Sequence, residues 1–411
     1  MRFPTRLLTA ALAGLALACA GAAQDELSRD QLLADLDQAL AWIEATHPDL
    51  SHSADAAALA ELRDQVEARL PDRLDRREAW LALGAFNPLF NDAHTGIALP
   101  AGAAVAFPPV KVESGRLFVA DSIAADSALA PGDEILAIDE VETSGLIARL
   151  TPSLRGEADS LRERILELRF GDFLALWTGG ASAEMLTIAR AGQRFTHRLD
   201  PEVDRPGAAG EAFSWRQQES EAVLRIDTFD RDREEAFAAF LATAFAEIDA
   251  AGADRLVIDL RGNGGGARQL SDRLMAYLTG QRYTPLSAVT ARVAEENISR
   301  LPPGAEIGQV VSLPFAQWVE PPAELIHRFE GEITVLIGPD TYSQAIVFAA
   351  TVQDFGIGAL AGDPTAGPAN QTGQVQRRVL EHTGFEARAP LYVFTRASGE
   401  TGGGPLRPDR D

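Results

Sequence analysis

The 411-residue chain is 46% hydrophobic and 24% charged, with 35 Gly and 23 Pro, which suits two or three packed domains and excludes a disordered chain, a collagen or a disulfide-stapled miniprotein. Lys and Arg total 37 against 60 Asp and Glu, a formal charge of -23, so a polyanion is repelled and no nucleic acid is expected as partner; acidity suits basic peptides, but surface charge does not specify a scissile bond. Among the basic residues only Lys111 is a lysine.

Residues 1–23 read as a secretory signal peptide, with Arg2 and Arg6, an apolar run from Leu7 to Ala20, and small residues up to Ala23. The run is too short to span a bilayer as a mature helix. The lone cysteine, Cys19, lies inside it, so no intrachain disulfide or catalytic thiol is available. Cleavage at the small residues releases a soluble protein. Cleavage just before Cys19, in an order resembling a bacterial lipobox, turns that sulfur into a lipid anchor. By either route the protein is exported to the periplasm or beyond.

Residues 24–100 predict a helical domain. Ser28-Arg29-Asp30-Gln31 has capping-box spacing, and Leu33, Leu36, Leu40 and Ile43 follow at helical intervals until His47-Pro48. Leu59, Leu62, Val66 and Leu70 mark a second helix ended by Pro71, and Asp75 to Glu78 opens a third. The domain closes in a turn-rich segment, Asn91-Asp92-Ala93-His94-Thr95-Gly96.

Residues 101–205 predict a β-rich module with a helical insertion at 160–177. Leu117 to Ala120 reads as a strand, and Pro131-Gly132-Asp133 is a turn feeding the strand Glu134 to Asp139. This run resembles the PDZ peptide-binding domains; a bare turn between strands is the alternative. Residues 200–210 look like a linker. Within residues 206–411, strand 222–229, helix 231–251 and strand 255–260 form a βαβ unit with a parallel sheet. The alternation continues through a glycine loop, helix 269–278, strand 333–337, helix 344–355, a short strand at 359–360, and two strand-like runs, 374–380 and 386–395.

Two stretches can carry chemistry. In Asp259-Leu260-Arg261-Gly262-Asn263-Gly264-Gly265-Gly266 a buried strand ends in glycines whose N–H groups lie at the mouth of a helix, the kind of place that receives developing negative charge. Gly262, Gly264 and Ala267 also fit a loose dinucleotide pattern, but the acidic ribose-binding residue is missing. Ser343, in Thr341-Tyr342-Ser343-Gln344-Ala345, sits where a strand turns into a helix; a serine there serves as a helix cap or as a nucleophile. Neighbouring strands of one parallel sheet would bring both stretches to the same carboxyl edge.

Together with Gly362-Asp363-Pro364-Thr365-Ala366-Gly367 and the PDZ-like segment, these pieces resemble the S41 serine peptidases: the tail-specific proteases, the tricorn core protease and the retinoid-binding relatives. The resemblance implies an α/β fold with a core of the crotonase or Clp-protease type, Ser343 as nucleophile, and an oxyanion hole from Gly264, Gly265 and Gln344. Tail-specific members activate serine with a lysine after Gly-x-x-Thr-x-Gly, but Pro368 follows Gly367 and no lysine exists beyond Lys111. Tricorn-like members use a histidine in a segment resembling Asp92-Ala93-His94-Thr95-Gly96, which makes His94 the general base, and a late glutamate, for which Glu400 is the positional match. Ala93 and Gln344 depart from the family pattern. His47, His52, His197, His327 and His382 have no motif around them and read as surface or structural residues. No metal-ligand spacing is present, so no metal or cofactor is expected. The reading is an exported endopeptidase acting on peptides or proteins; the alternative is a non-catalytic binder of peptides or hydrophobic ligands on the same fold.

Overall fold

The structure, a computed structural model, describes residues 26–409 apart from 101, 103, 207–211, 219 and 316. The signal segment, Cys19 and most of the linker's second half lie outside the described residues. The three N-terminal helices form where capping and periodicity place them. Arg29–Thr46 starts at Ser28 with a reciprocal capping box to Gln31, and Arg76–Gly84 repeats the device with Asp75 and Glu78. Ala56–Arg69 is capped by Asp55.

These helices do not bury a core of their own. Leu36, Ile43, Trp80 and Phe90 belong to the same apolar cluster as Leu117, Ile135 and Ile188 of the antiparallel sheet that spans residues 110–198. The single helix expected over 160–177 is two, Asp159–Leu168 and Phe170–Thr178. Arg169 interrupts them with a non-helical backbone, φ -121° and ψ 18°, and its guanidinium holds Asp172 at 2.5 Å and the carbonyl of Pro100 at 3.0 Å.

A second core holds a five-stranded sheet in the order Phe213–Gln218, Glu221–Ile226, Arg255–Asp259, Glu332–Ile337, Ala359–Gly362. The last four are parallel, so their carboxyl ends share one edge. Strands Arg255–Asp259 and Glu332–Ile337 are direct neighbours, with Asp259 opposite Leu336. The glycine loop and the serine turn leave the sheet side by side at that edge.

The run expected as one strand over 386–395 divides at Pro390, and its halves join different sheets. Glu386–Ala389 pairs with Gln376–Val379 and with Gly96–Ala98 from the N-terminal half. Tyr392–Arg396 pairs with Leu286–Arg292, which itself pairs with Val310–Pro314. Those last two strands escaped the sequence reading, and they build one wall of the cleft described next. No helix among the described residues is long and apolar enough to cross a membrane.

Candidate active site

Ser343 stands between strand Glu332–Ile337 and helix Gln344–Asp354 with φ 51° and ψ -125°, a conformation costly for a residue with a Cβ. Its side chain makes no capping hydrogen bond, so helix capping does not account for this serine. The turn is held from both sides. Thr341 Oγ1 donates to the carbonyl of Leu260 at 2.9 Å, and the Tyr342 N–H donates to the carbonyl of Asn263 at 2.9 Å. Strain of this kind persists only where surrounding bonds over-determine it.

The glycine loop is shaped to lie against that turn. Gly265 has φ 97°, and a Cβ there would fall 2.7 Å from the Ser343 Cβ and 2.9 Å from the Gln344 nitrogen. Buried Asn263 fixes the loop, donating to the carbonyl of Ile226 at 3.1 Å and accepting from the Gly265 N–H at 2.8 Å. The Gly265 amide is therefore engaged. The N–H of Gln344 opens its helix, where the first amides have no intrahelical partner. It makes no hydrogen bond to a described group, and the same holds for the N–H groups of Gly264 and Gly266. Gly266, Ser343, Gln344 and His94 all line one cleft of about 930 Å³.

His94 reaches this cleft because strand Gly96–Ala98, two residues on, is stitched to Glu386–Ala389. Its ring centroid lies 5.0 Å from that of Tyr342, the residue before the serine. Arg155 donates to the carbonyl of Ala93 at 2.7 Å, and Glu157 accepts from the Ala93 N–H at 3.2 Å, so the backbone carrying the imidazole is gripped on both polar groups.

The imidazole is oriented through Thr372. His94 Nδ1 lies 2.9 Å from Thr372 Oγ1, and that hydroxyl lies 3.1 Å from both carboxylate oxygens of Asp92. Buried Asp92 also accepts from the His94 N–H at 2.9 Å and from Thr95 Oγ1 at 2.6 Å. Behind it, fully buried His47 accepts the Asp49 N–H on Nδ1, which leaves its protonated Nε2 3.7 Å from Asp92 Oδ2. Burial alone would push the Asp92 carboxyl up, but His47, His94 and Thr95 outweigh it and hold the group well below the usual carboxylate range. An ionised carboxylate only accepts, so the single Thr372 hydrogen goes to Asp92, and the Thr372 oxygen accepts from His94 Nδ1–H. The lone pair of the imidazole is then on Nε2. Burial pulls the His94 pKa below its ordinary value, with Arg155 adding to the effect and Asp92 opposing it.

Glu157 lies behind Tyr342, outside the lining of the cleft. The Tyr342 hydroxyl donates to it at 2.9 Å, and burial, reinforced by Asp92, pushes its pKa up to about 8.

The structure brings His94, Ser343, the glycine loop and Gln344 together. It does not bring Glu400 to the imidazole. The Glu400 side chain is 73% exposed and pairs with Arg396 at 3.4 Å, while Thr372 and Asp92 occupy the Nδ1 side of the ring. Lys111 lies on strand Val110–Glu113, ion-paired with Glu113 and mostly exposed. His197 and His327 pair with Asp204 and Asp249 away from the cleft. Asp92 stood inside the histidine motif and could have been singled out; Thr372 carries no sequence signal.

Residues 220–409 match the profile of peptidase family S41. This part of the chain is an S41 serine-peptidase domain. No curated protein matches the chain. Among solved structures, a CPAF mutant is similar with a TM-score of 0.66 at 15% identity over 93% of each chain. Mature CPAF complexed with lactacystin gives 0.62 at 16% identity, over 93% of this chain and 94% of that one. A putative peptidase from Parabacteroides merdae gives 0.50 at 14% identity, over 93% and 89%. At such identities the likeness shows a shared fold: the S41 domain here is mixed α/β, as its sequence implied.

Proposed function

We propose that this protein is an exported serine endopeptidase of the histidine-dependent, tricorn-like type, with Ser343 as nucleophile and His94 as general base. Export rests on the signal-like segment 1–23. The observation that carries the mechanism is the strained, uncapped Ser343 sharing a cleft with an imidazole whose Nδ1 is committed to Thr372, itself bonded to Asp92.

The steps follow from those positions. Nε2 of His94 removes the Ser343 proton as Oγ bonds to the scissile carbonyl carbon; the hydroxyl–imidazole hydrogen bond, not formed in this conformation, tightens when substrate fills the cleft. Negative charge on the carbonyl oxygen is received by the Gln344 N–H at the helix start and by a glycine-loop amide flanking Gly265, from Gly264 or Gly266. Gly265 serves by conformation, letting the loop approach the nucleophile. The protonated imidazole gives its hydrogen to the leaving amine as the C–N bond breaks. Water, deprotonated by the same Nε2, then hydrolyses the acyl-enzyme. Thr372 and Asp92 are positioning residues that hold the ring and its tautomer, the part first assigned to Glu400.

Labelling with a fluorophosphonate followed by peptide mapping tests this reading. The probe should attach at Ser343, more than about 100-fold more slowly in His94→Ala, and both Ser343→Ala and His94→Ala should lose peptide hydrolysis, because serine and base act as a unit. Unimpaired hydrolysis by either variant sinks the assignment.

A further inference from the structure

The loop ahead of helix Asp159–Leu168 takes no part in the chemistry described above, yet its Glu157 touches both segments that carry it. Glu157 Oε2 accepts the N–H of Ala93, the residue before the base, at 3.2 Å. Its Oε1 accepts the hydroxyl of Tyr342, the residue before the nucleophile, at 2.9 Å. Those partners lie 64 and 185 residues away along the chain. A carboxyl group suits such a place, since its two oxygens can each hold a different donor.

Tyr342 passes the second contact on to the imidazole. Its ring is buried, with its centroid 5.0 Å from that of His94 and the two planes 41° apart. The ring also lies against Gly367, which closes the Gly362-Asp363-Pro364-Thr365-Ala366-Gly367 motif; a Cβ there would fall 2.6 Å from Tyr342 Cε2. By one arm Glu157 holds the backbone that carries His94, and by the other the ring against which the imidazole packs. Neither Glu157 nor Tyr342 lines the cleft. Both line a smaller cavity of about 230 Å³, which shares Gln371 and Thr372 with the cleft.

We propose that Glu157 is a positioning residue for the reaction, a cross-tie that sets the imidazole of His94 at its working distance from Ser343. The proposal rests on the peptidase reading of the site and adds to it a residue from a third segment of the chain. Burial and the neighbouring Asp92 raise the Glu157 pKa and so favour its uncharged form. A glutamine, which keeps an oxygen for the Ala93 N–H and turns its amide toward the Tyr342 oxygen, should therefore preserve the tie.

The test follows the rate of fluorophosphonate labelling at Ser343, the labelled fraction at completion, and kcat and KM on a peptide, in the full chain. Glu157→Ala should lower the labelling rate and kcat by about 10- to 100-fold, the scale of a reacting group displaced by up to an ångström. KM should hardly move, because the lost side chain lies outside the cleft. The labelled fraction should match that of the unmodified chain, since the loss is one of rate and not of folded protein. Glu157→Gln should recover most of the rate, and Tyr342→Phe, which cuts one arm and keeps the ring, should fall between alanine and wild type. A wild-type rate in the alanine or phenylalanine variant, a glutamine variant no faster than alanine, or a loss confined to the labelled fraction overturns the proposal. Should the alanine variant not fold, the phenylalanine variant decides alone. The underlying assignment is read from the unmodified chain: labelling there with unaltered variants removes only the role of Glu157, whereas no labelling and no hydrolysis there removes the peptidase reading and this role together.

Discussion

Replacing Thr372 by valine removes one hydroxyl and keeps the branched shape. That hydroxyl is the sole bridge between His94 Nδ1 and Asp92, since Nδ1 is 3.8 Å from the nearer carboxylate oxygen, too far for a direct bond. Asp92 keeps Thr95 and the His94 N–H, so the carboxylate remains satisfied and the loss falls on the imidazole. A buried donor left without a partner costs about 1–3 kcal/mol, which at about 1.4 kcal/mol per decade is roughly 5- to 150-fold in kcat/KM. If the proton shifts wholly to Nε2 the loss climbs toward the ~10⁴ seen for a wrong tautomer in serine–histidine–aspartate sites. The assay is kcat/KM on a peptide from pH 5 to 9, with Thr372→Ser as the rescuing variant and thermal melting to verify folding. A tautomer defect is independent of pH, so Thr372→Val should stay depressed along the whole alkaline plateau. Wild-type activity in the valine variant, or full recovery by pH 8.5, would refute the relay.

Two further outcomes are expected. Gly265→Ala must seat a Cβ 2.7 Å from the Ser343 Cβ and 2.8 Å from the Tyr342 carbonyl at a φ that disfavours alanine, so labelling and hydrolysis should fall by about 10²-fold or more, as for a nucleophile displaced by an ångström; Gly145→Ala, where nothing lies within 4 Å, should melt no lower than wild type, and equal behaviour of the two would contradict the packing argument. The acid limb of kcat/KM should have its midpoint below about 6.5, because a base whose pKa is depressed by burial stays unprotonated, and active, to lower pH before protonation disables it; a midpoint above pH 7 would exclude His94 as described.

Most of the scaffold was legible because local rules and tertiary packing agree. Capping boxes at Ser28 and Asp75 and the alternation of strand and helix from Glu221 onward needed nothing remote to be read. The elements that escaped are those defined by partners far along the chain. Leu286–Arg292 is a strand by virtue of Tyr392–Arg396, and residues 386–395 divide because Pro390 interrupts a run whose halves face different sheets. The same division holds in the site. Ser343, His94 and the glycine loop carry recognisable neighbours, whereas Thr372 is an ordinary threonine until folding sets it between Asp92 and the imidazole, and Glu400 looked right only by its position in the chain.

The pairing of Gly96–Ala98 with Glu386–Ala389 also makes the site a joint product of two distant segments. The imidazole comes from the N-terminal half, yet the strand that steadies it lies far downstream in the S41 domain. The site as proposed is complete only once that pairing has closed, and breaking it should cost the imidazole its register while the Ser343 turn, held by Leu260 and Asn263, stays in place.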